Sequence, residues 1–238
     1  MAEGAGEVTW IVDGDTIEVE SSDGEVTVRL ASVNAPERDE CYAEPGLDHL
    51  IATLKGETVS LEVIGEDQFG RLLAHVFAGD RHVNLELVEL GLALASTPEE
   101  GDIYGESILD AENEAFANRT GLWSETACGA EQVPNVVFEP GLSVTDPAGP
   151  DDQELSGEGI AVRNTGTEIV DLAGWILRDE SSRHRFVFGD IRVGGGETIL
   201  VSSADVGWDP GDSPVWNNGG DMALLQLPDG TVVARWRY

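Results

Sequence analysis

Apolar and polar positions alternate with a period of two through much of the first 80 residues. Val26, Val28 and Leu30 are separated by polar or charged side chains, as are Val59, Leu61 and Val63, and Leu72 to Phe77 is a further apolar run. Each reads as a strand, because side chains two apart line one face of a sheet. Three stretches switch to helical spacing. Pro45 suits a first helical turn, and Leu47, Leu50, Ile51 and Leu54 share one face before Gly56 ends the helix. Asn84 is placed to cap a short helix that carries Leu87, Val88 and Leu90 and closes at Gly91. Ile108, Leu109, Ala115 and Phe116 mark a third, ending before Gly121. A strand meander with helices packed on it predicts a small closed β-barrel over residues 1–124.

Periodicity lapses over 125–135, around Gly129 and Pro134, which reads as a linker. From 136 to 238 short strands are expected at Ile160 to Arg163, Trp175 to Arg178, Arg185 to Phe188, Thr198 to Val201, Ala223 to Leu227 and Thr231 to Trp236. Turn signals such as Asn164-Thr165-Gly166, Asn217-Asn218-Gly219-Gly220 and Pro228-Asp229-Gly230 separate them. Strands at this spacing predict a β-sandwich. The expected class is therefore mainly β with some α, in two domains.

Charge changes the picture. Against 46 Asp+Glu stand 13 Lys+Arg, a formal net charge of −33, and Lys55 is the one lysine. An acid excess of this size argues against a nucleic-acid binder in ordinary salt, where phosphate contacts need a basic footprint. Disorder is excluded by the 41% hydrophobic content and the regular strand patterns. In molar salt the objection lapses, because the Debye length falls to about 3 Å and repulsion is screened. The acidic surface then reads as halophilic, serving solubility rather than marking a partner. No run of about 18 apolar residues spans a membrane. Met1-Ala2-Glu3-Gly4 leads directly into a strand without a leader-like stretch, as in a matured chain. Cys41 and Cys128 read as a disulfide, which points to an extracellular or cell-surface protein; two unrelated buried thiols are the alternative.

Chemistry gathers in three stretches at strand edges: Val12-Asp13-Gly14-Asp15-Thr16, Val28-Arg29-Leu30-Ala31-Ser32-Val33-Asn34-Ala35-Pro36-Glu37 and Asp67-Gln68-Phe69-Gly70-Arg71-Leu72. They supply oxygen ligands for a hard cation, a carboxylate able to activate water, and two arginines. That set suits phosphodiester hydrolysis, in which positive groups offset charge on the phosphate while a base activates the nucleophile. Asp13-Gly14-Asp15 taken alone is an ordinary turn. Arg29 is more telling, since it interrupts an apolar strand where an unpartnered charge would be costly.

In order, spacing and local sequence the three stretches resemble the staphylococcal nuclease (thermonuclease) family. The resemblance implies an OB-fold barrel for 1–124 and hydrolysis of DNA, RNA or both, leaving a 3′-phosphate. It assigns Arg29 and Arg71 to the phosphate, Glu37 to the general base, and Asp15, Asn34 and the Ala35 carbonyl to one Ca²⁺. Asn34 departs from the family's usual aspartate, which removes a charge from the cation site. Phe69 and Tyr104 are the substrate contacts it suggests; Phe69 replaces a tyrosine and keeps only stacking. Asp13 is expected to shape the turn rather than bind the ion. The stretches Ala161 to Gly166, Asp171 to Asp179 and Pro214 to Asp221 are similar to the lamin tail domain, which implies an immunoglobulin-like sandwich over 136–238 acting as a targeting or interaction module, toward a cell-surface or nucleic-acid partner. A catalytically inactive binding module on the same fold is the alternative to an enzyme. The chain is expected to be a monomer. Arg178, Arg183 and Arg185 form a less acidic stretch that reads as a solvated strand face, with a nucleic-acid contact as the alternative. His49, His75, His82 and His184 have no metal-ligand spacing.

Overall fold

The computed structural model describes residues 2–22, 24–143, 159–180, 184–202 and 222–238, and they fall into two compact units, Met1–Ala127 and Cys128–Tyr238. In the first unit the strands are β1 (Ala2–Ile11), β2 (Thr16–Ser21), β3 (Gly24–Leu30), β4 (Val33–Asn34), β5 (Thr58–Glu66), β6 (Leu72–Ala78), β7 (Arg81–His82) and β8 (Leu94–Ala95). The helices are α1 (Ala43–Leu54), α2 (Val83–Glu89) and α3 (Gly105–Ala117). The main sheet runs β3-β2-β1-β5-β6-β7, and β3 also pairs parallel to β6, which closes it into an OB-like barrel. Closure pairs β1, β2, β3, β5 and β6 each on both sides, and β7 adds a two-residue strand against β6. Val8, Ile17, Val19, Val28, Leu61 and Val76 fill the interior, and Leu50, Leu54, Leu87 and Ile108 bring the helices onto it.

Closure also sets the site. Val28 pairs with Leu72 and Arg29 with Leu73, so Arg71, one residue before β6, lies close along the sheet to Arg29. The β1–β2 hairpin carries residues 12–15 as its turn, closed by Val12 N–H donating to the Thr16 carbonyl at 2.9 Å.

Asn84 does not cap α2. The cap position is His82, and Asn84 lies inside the helix, wholly buried. Its Oδ1 accepts from Val76 N–H at 2.9 Å, and its Nδ2 donates to the carbonyls of Ala31 and Ala74 at 2.9 and 3.1 Å. A residue suited to capping is used here to bond buried backbone groups, although the Ala74 carbonyl also accepts from Ala31 N–H at 2.9 Å. Gly91 does end the helix as expected: its φ is +61°, and Thr120 O would lie 2.3 Å from any Cβ there.

Among its described residues the second unit holds strands, loops and one turn of 3₁₀ helix. It holds β9 (Val136–Phe138), β10 (Gly159–Asn164), β11 (Val170–Asp171), β12 (Ile176–Arg178), β13 (Arg185–Val187), β14 (Arg192–Val193), β15 (Thr198–Ser202), β16 (Met222–Gln226) and β17 (Val232–Arg237). They form sheets β15-β10-β9, β11-β14 and β13-β12-β16-β17. Phe138, Ile160, Val162, Trp175, Leu177 and Leu225 fill one core, giving the immunoglobulin-like architecture. Arg178 is buried, so the stretch expected to be a solvated face is not one; Arg185 is exposed, and Arg183 lies outside the described residues. Trp216 and the turns at 217–220 lie outside them too. Among the described residues no helix is long and apolar enough to cross a membrane.

Candidate active site

Asp15 is the centre of the first cluster. Its carbonyl accepts from Leu30 N–H at 2.8 Å, which ties the hairpin turn to the end of β3. Asp15 is only 2% exposed, and three groups address its carboxylate. Ala35 N–H donates to Oδ2 at 2.7 Å, Thr16 Oγ1 donates to Oδ1 at 3.0 Å, and the Arg29 guanidinium forms an ion pair with Oδ1. Burial pushes the Asp15 carboxyl up to about 7, against the lowering effect of Arg29 and the Ala35 N–H. One guanidinium therefore under-compensates this carboxylate, and a further positive charge beside it is favoured. Arg29 also donates to Asn34 Oδ1 at 2.9 Å, so Asp15, Arg29, Asn34 and Ala35 form one bonded set. Asp13 is a turn residue as expected: its Oδ1 accepts from Asp15 N–H at 3.2 Å. Gly14 is needed for the contact, because a Cβ there would lie 2.7 Å from the Ala35 Cβ.

The second cluster sits on the turn before β6. Gly70 has a φ of +79°, so the chain reverses and Arg71 returns over its own loop. Arg71 Nε donates to Asp67 Oδ2 at 2.6 Å, and the guanidinium stands 5.4 Å from the centre of the Phe69 ring. Burial raises the Asp67 carboxyl, yet the N–H groups of Arg71 and Phe69 and the guanidinium hold it below the usual range. Nε alone is engaged, and both terminal nitrogens of Arg71 remain open among the described residues. Phe69 is 67% exposed, an accessible face for stacking. Glu37 lies on the exposed loop after Pro36; its N–H donates to Glu40 Oε2 at 3.1 Å, and its carboxylate has no partner among the described residues.

Residues 27–125 match the family model described as staphylococcal nuclease homologue, and 142–238 match that of the lamin tail domain. An uncharacterized endonuclease of Escherichia coli is 34% identical over 122 residues, 50% of this chain and 77% of that protein. The chain belongs to the staphylococcal nuclease homologue family. A thermonuclease of Staphylococcus intermedius is 32% identical over 124 residues, with 49% of this chain and 74% of its own length covered. The micrococcal nuclease of Shigella flexneri is 30% identical over 133 residues, with 50% and 74% covered.

Within this nuclease homologue unit, Tyr104 is not an open ring beside Phe69. It precedes α3, packs at 4.7 and 4.8 Å from the rings of His75 and His82, and donates its hydroxyl to Glu62 Oε2 at 3.1 Å. It belongs to a network that the sequence did not announce. Ser32 Oγ donates to Asp102 Oδ2, Asp102 Oδ1 meets His75 Nε2 at 3.0 Å, and His75 Nδ1 meets His82 Nε2 at 3.1 Å. Ser32 has a φ of +57°, a left-handed conformation that costs a residue with a Cβ, and Asp102 holds it there. The network thus anchors the chain just before Val33-Asn34-Ala35. Its one hint in the sequence was a histidine, His75, inside an apolar run. Both cysteines, Cys41 and Cys128, are disulfide-bonded.

Proposed function

We propose that the first unit is a metal-dependent nuclease that hydrolyses phosphodiester bonds of DNA or RNA. The observation that carries this reading is the bonded set of Asp15, Arg29, Asn34 and Ala35 at one end of β3, with a second arginine close along the sheet. The donor set is all oxygen and includes a buried, under-compensated carboxylate, which fits a hard cation such as Ca²⁺. Asp15, Asn34 Oδ1 and the Ala35 carbonyl would hold that ion, which supplies positive charge beside the phosphate when bound.

The chain's own groups do the rest. Arg29 is fixed by Asp15 and Asn34 and keeps further N–H donors for a non-bridging phosphate oxygen. Arg71 offers its two terminal nitrogens as a fork, oriented through Nε by Asp67. Glu37, with an unpartnered carboxylate on a loop stiffened by Pro36, accepts the proton of the attacking water. Phe69 is available to stack on a base or sugar, which gives little sequence preference.

Glu37→Gln should lower turnover by at least about 10²-fold with unchanged thermal unfolding, and Arg29→Lys and Arg71→Lys should lower it by roughly 10²–10³-fold each. Cleavage assays in molar KCl with and without chelator make the test, and a Glu37→Gln enzyme as fast as the parent would refute the assignment. One observation favours the inactive binding module instead: Asn34 offers the cation a neutral oxygen that already accepts from Arg29. Full binding of oligonucleotide with no chelator-sensitive cleavage would establish it. We further propose that the chain acts outside the cell in high salt, on the grounds of its disulfide and its charge of −33. The lamin-tail unit would then serve as an interaction module.

A further inference from the structure

Six cationic side chains serve residues 1–127, and four are committed to carboxylates: Arg29 to Asp15, Arg71 to Asp67, Arg81 to Glu86 and Arg119 to Glu125. Among the described residues Arg38 and Lys55 make no ion pair, although the chain carries 46 acidic side chains. Arg38 lines a cavity of about 330 Å³ whose walls also include Trp10, Asp13, Gly14, Pro36 and Ile51, and Lys55, which is not itself in the wall, lies against its Trp10. Arg38 reaches it by donating to the Val12 carbonyl at 2.6 Å, and Lys55 Nζ lies 4.8 Å from the centre of the Trp10 ring. Asp13 and Glu44 also line it, so the local balance is near neutral where the whole chain is strongly acidic.

Trp10 is 53% exposed because β1 is interrupted. Val8 pairs with Val19 but Trp10 with Glu18, so an extra residue is inserted at Thr9. Unbroken alternation would bury Trp10 on the side of Val8 and expose Ile11; with the bulge, Val8 and Ile11 are both buried and Trp10 is turned outward. Bulges of this kind re-aim side chains next to active sites. Along the chain the cavity wall borders the candidate active site: Asp13 and Gly14 precede Asp15, and Pro36 lies between Ala35 and Glu37.

We propose that this cavity is a subsite for a nucleotide flanking the scissile phosphate of a single-stranded substrate. Trp10 takes a base or sugar face, and Arg38 and Lys55 take the neighbouring phosphate. An indole flanked by Lys55, with Arg38 in the wall next to the Glu37 loop, suits an unstacked nucleotide better than an apolar peptide, which has no use for the cations. The proposal rests on the nuclease reading of Asp15, Arg29, Glu37 and Arg71.

The test compares a short labelled single-stranded oligonucleotide with a nitrophenyl ester of a mononucleotide phosphate, which lacks the flanking nucleotide. At fixed salt and free Ca²⁺, Trp10→Ala and the double variant Arg38→Ala, Lys55→Ala should each lower the preference for the oligonucleotide over the ester, in kcat/KM, about tenfold. The loss should sit in KM, and Trp10→Phe should restore most of it. Equal loss on both substrates, or none on the oligonucleotide, overturns the subsite. If the parent cleaves neither substrate the nuclease reading fails, and fluorescence anisotropy then decides the subsite by itself. Oligonucleotide binding weakened about tenfold by Trp10→Ala supports it, and unaltered binding overturns it. A parent dimer that Trp10→Ala dissociates would assign this face to a second copy and also overturn it.

Discussion

Arg29 shows how one side chain can hold a site and serve it. Its guanidinium bridges Asp15 and Asn34, so the negative oxygen and the amide oxygen are set relative to one another before any ligand arrives. Asn34→Asp restores a negative ligand and should tighten Ca²⁺ binding, as read by calorimetric titration in matched salt. Equal or weaker affinity would place the ion elsewhere. Gly14→Ala probes the same geometry from the backbone side. Its Cβ would meet the Ala35 Cβ at 2.7 Å, so the Ala35 loop must shift away from Asp15. Ca²⁺ affinity should fall about tenfold or more in that variant.

At the scale of elements, buried polar groups lock the helices and loops onto the barrel. Removing the Asn84 side chain would leave Val76 N–H and the Ala31 carbonyl short of partners at a fully buried point, while the Ala74 carbonyl keeps the Ala31 N–H at 2.9 Å. Asn84→Ala should cost about 3 kcal/mol or more by denaturant unfolding. The histidine pair gives a pH signature. Burial, then repulsion from His75, lowers His82 to about 4, and burial lowers His75 too, although Asp102 opposes both. Tyr104, Phe77 and, through Tyr104, Glu62 complete the surroundings. Between pH 6.5 and about 4 the unfolded chain takes up a proton that folded His82 refuses, so the contribution of His82 falls as pH falls. Asp15 runs the other way, since its raised carboxyl favours the folded state at low pH. The difference between the parent and His82→Phe removes that term. It should shrink by up to about 3 kcal/mol from pH 7 to 4, and a flat difference would mean that His82 titrates normally.

Across the whole molecule, charge and covalent closure dominate. Between 0.1 M and 1 M salt the Debye length shortens from about 10 Å to about 3 Å, which relieves self-repulsion from a net charge of −33. Thermal unfolding temperature should therefore rise steadily with KCl up to 2 M. Oligonucleotide affinity of Glu37→Gln should rise with it, because the whole-chain charge of −33 repels a polyanion even where the Trp10 cavity is locally near neutral. Affinity that falls steeply with salt would instead reveal a larger basic track. Reducing the disulfide should cost about 2–5 kcal/mol, seen as a lower unfolding temperature in reductant.

Sequence by itself determined what depends on local pattern. Alternation at Val26-Val28-Leu30 and Val59-Leu61-Val63 became β3 and β5, since one face of each must be buried, and Gly91 stopped α2 because only a residue without Cβ fits there. The polar stretches were legible in part for the same reason: arginine inside an apolar strand is locally anomalous, whereas Asp13-Gly14-Asp15 is an ordinary turn that stands out only beside the other two stretches. Other outcomes depended on partners distant along the chain. Asn84 had the local chemistry of a cap, yet backbone groups of residues 31, 74 and 76 claimed it once the barrel closed. Tyr104 was drawn into the rings of His75 and His82, and Arg178 into the core of the second unit. The bulge that turns Trp10 outward is a mismatch between β1 and β2, a property of pairing that neither strand carries alone. Local pattern sets which elements form, but polar groups are satisfied by whatever the fold brings within about 3 Å, and that is settled only when the chain has closed on itself.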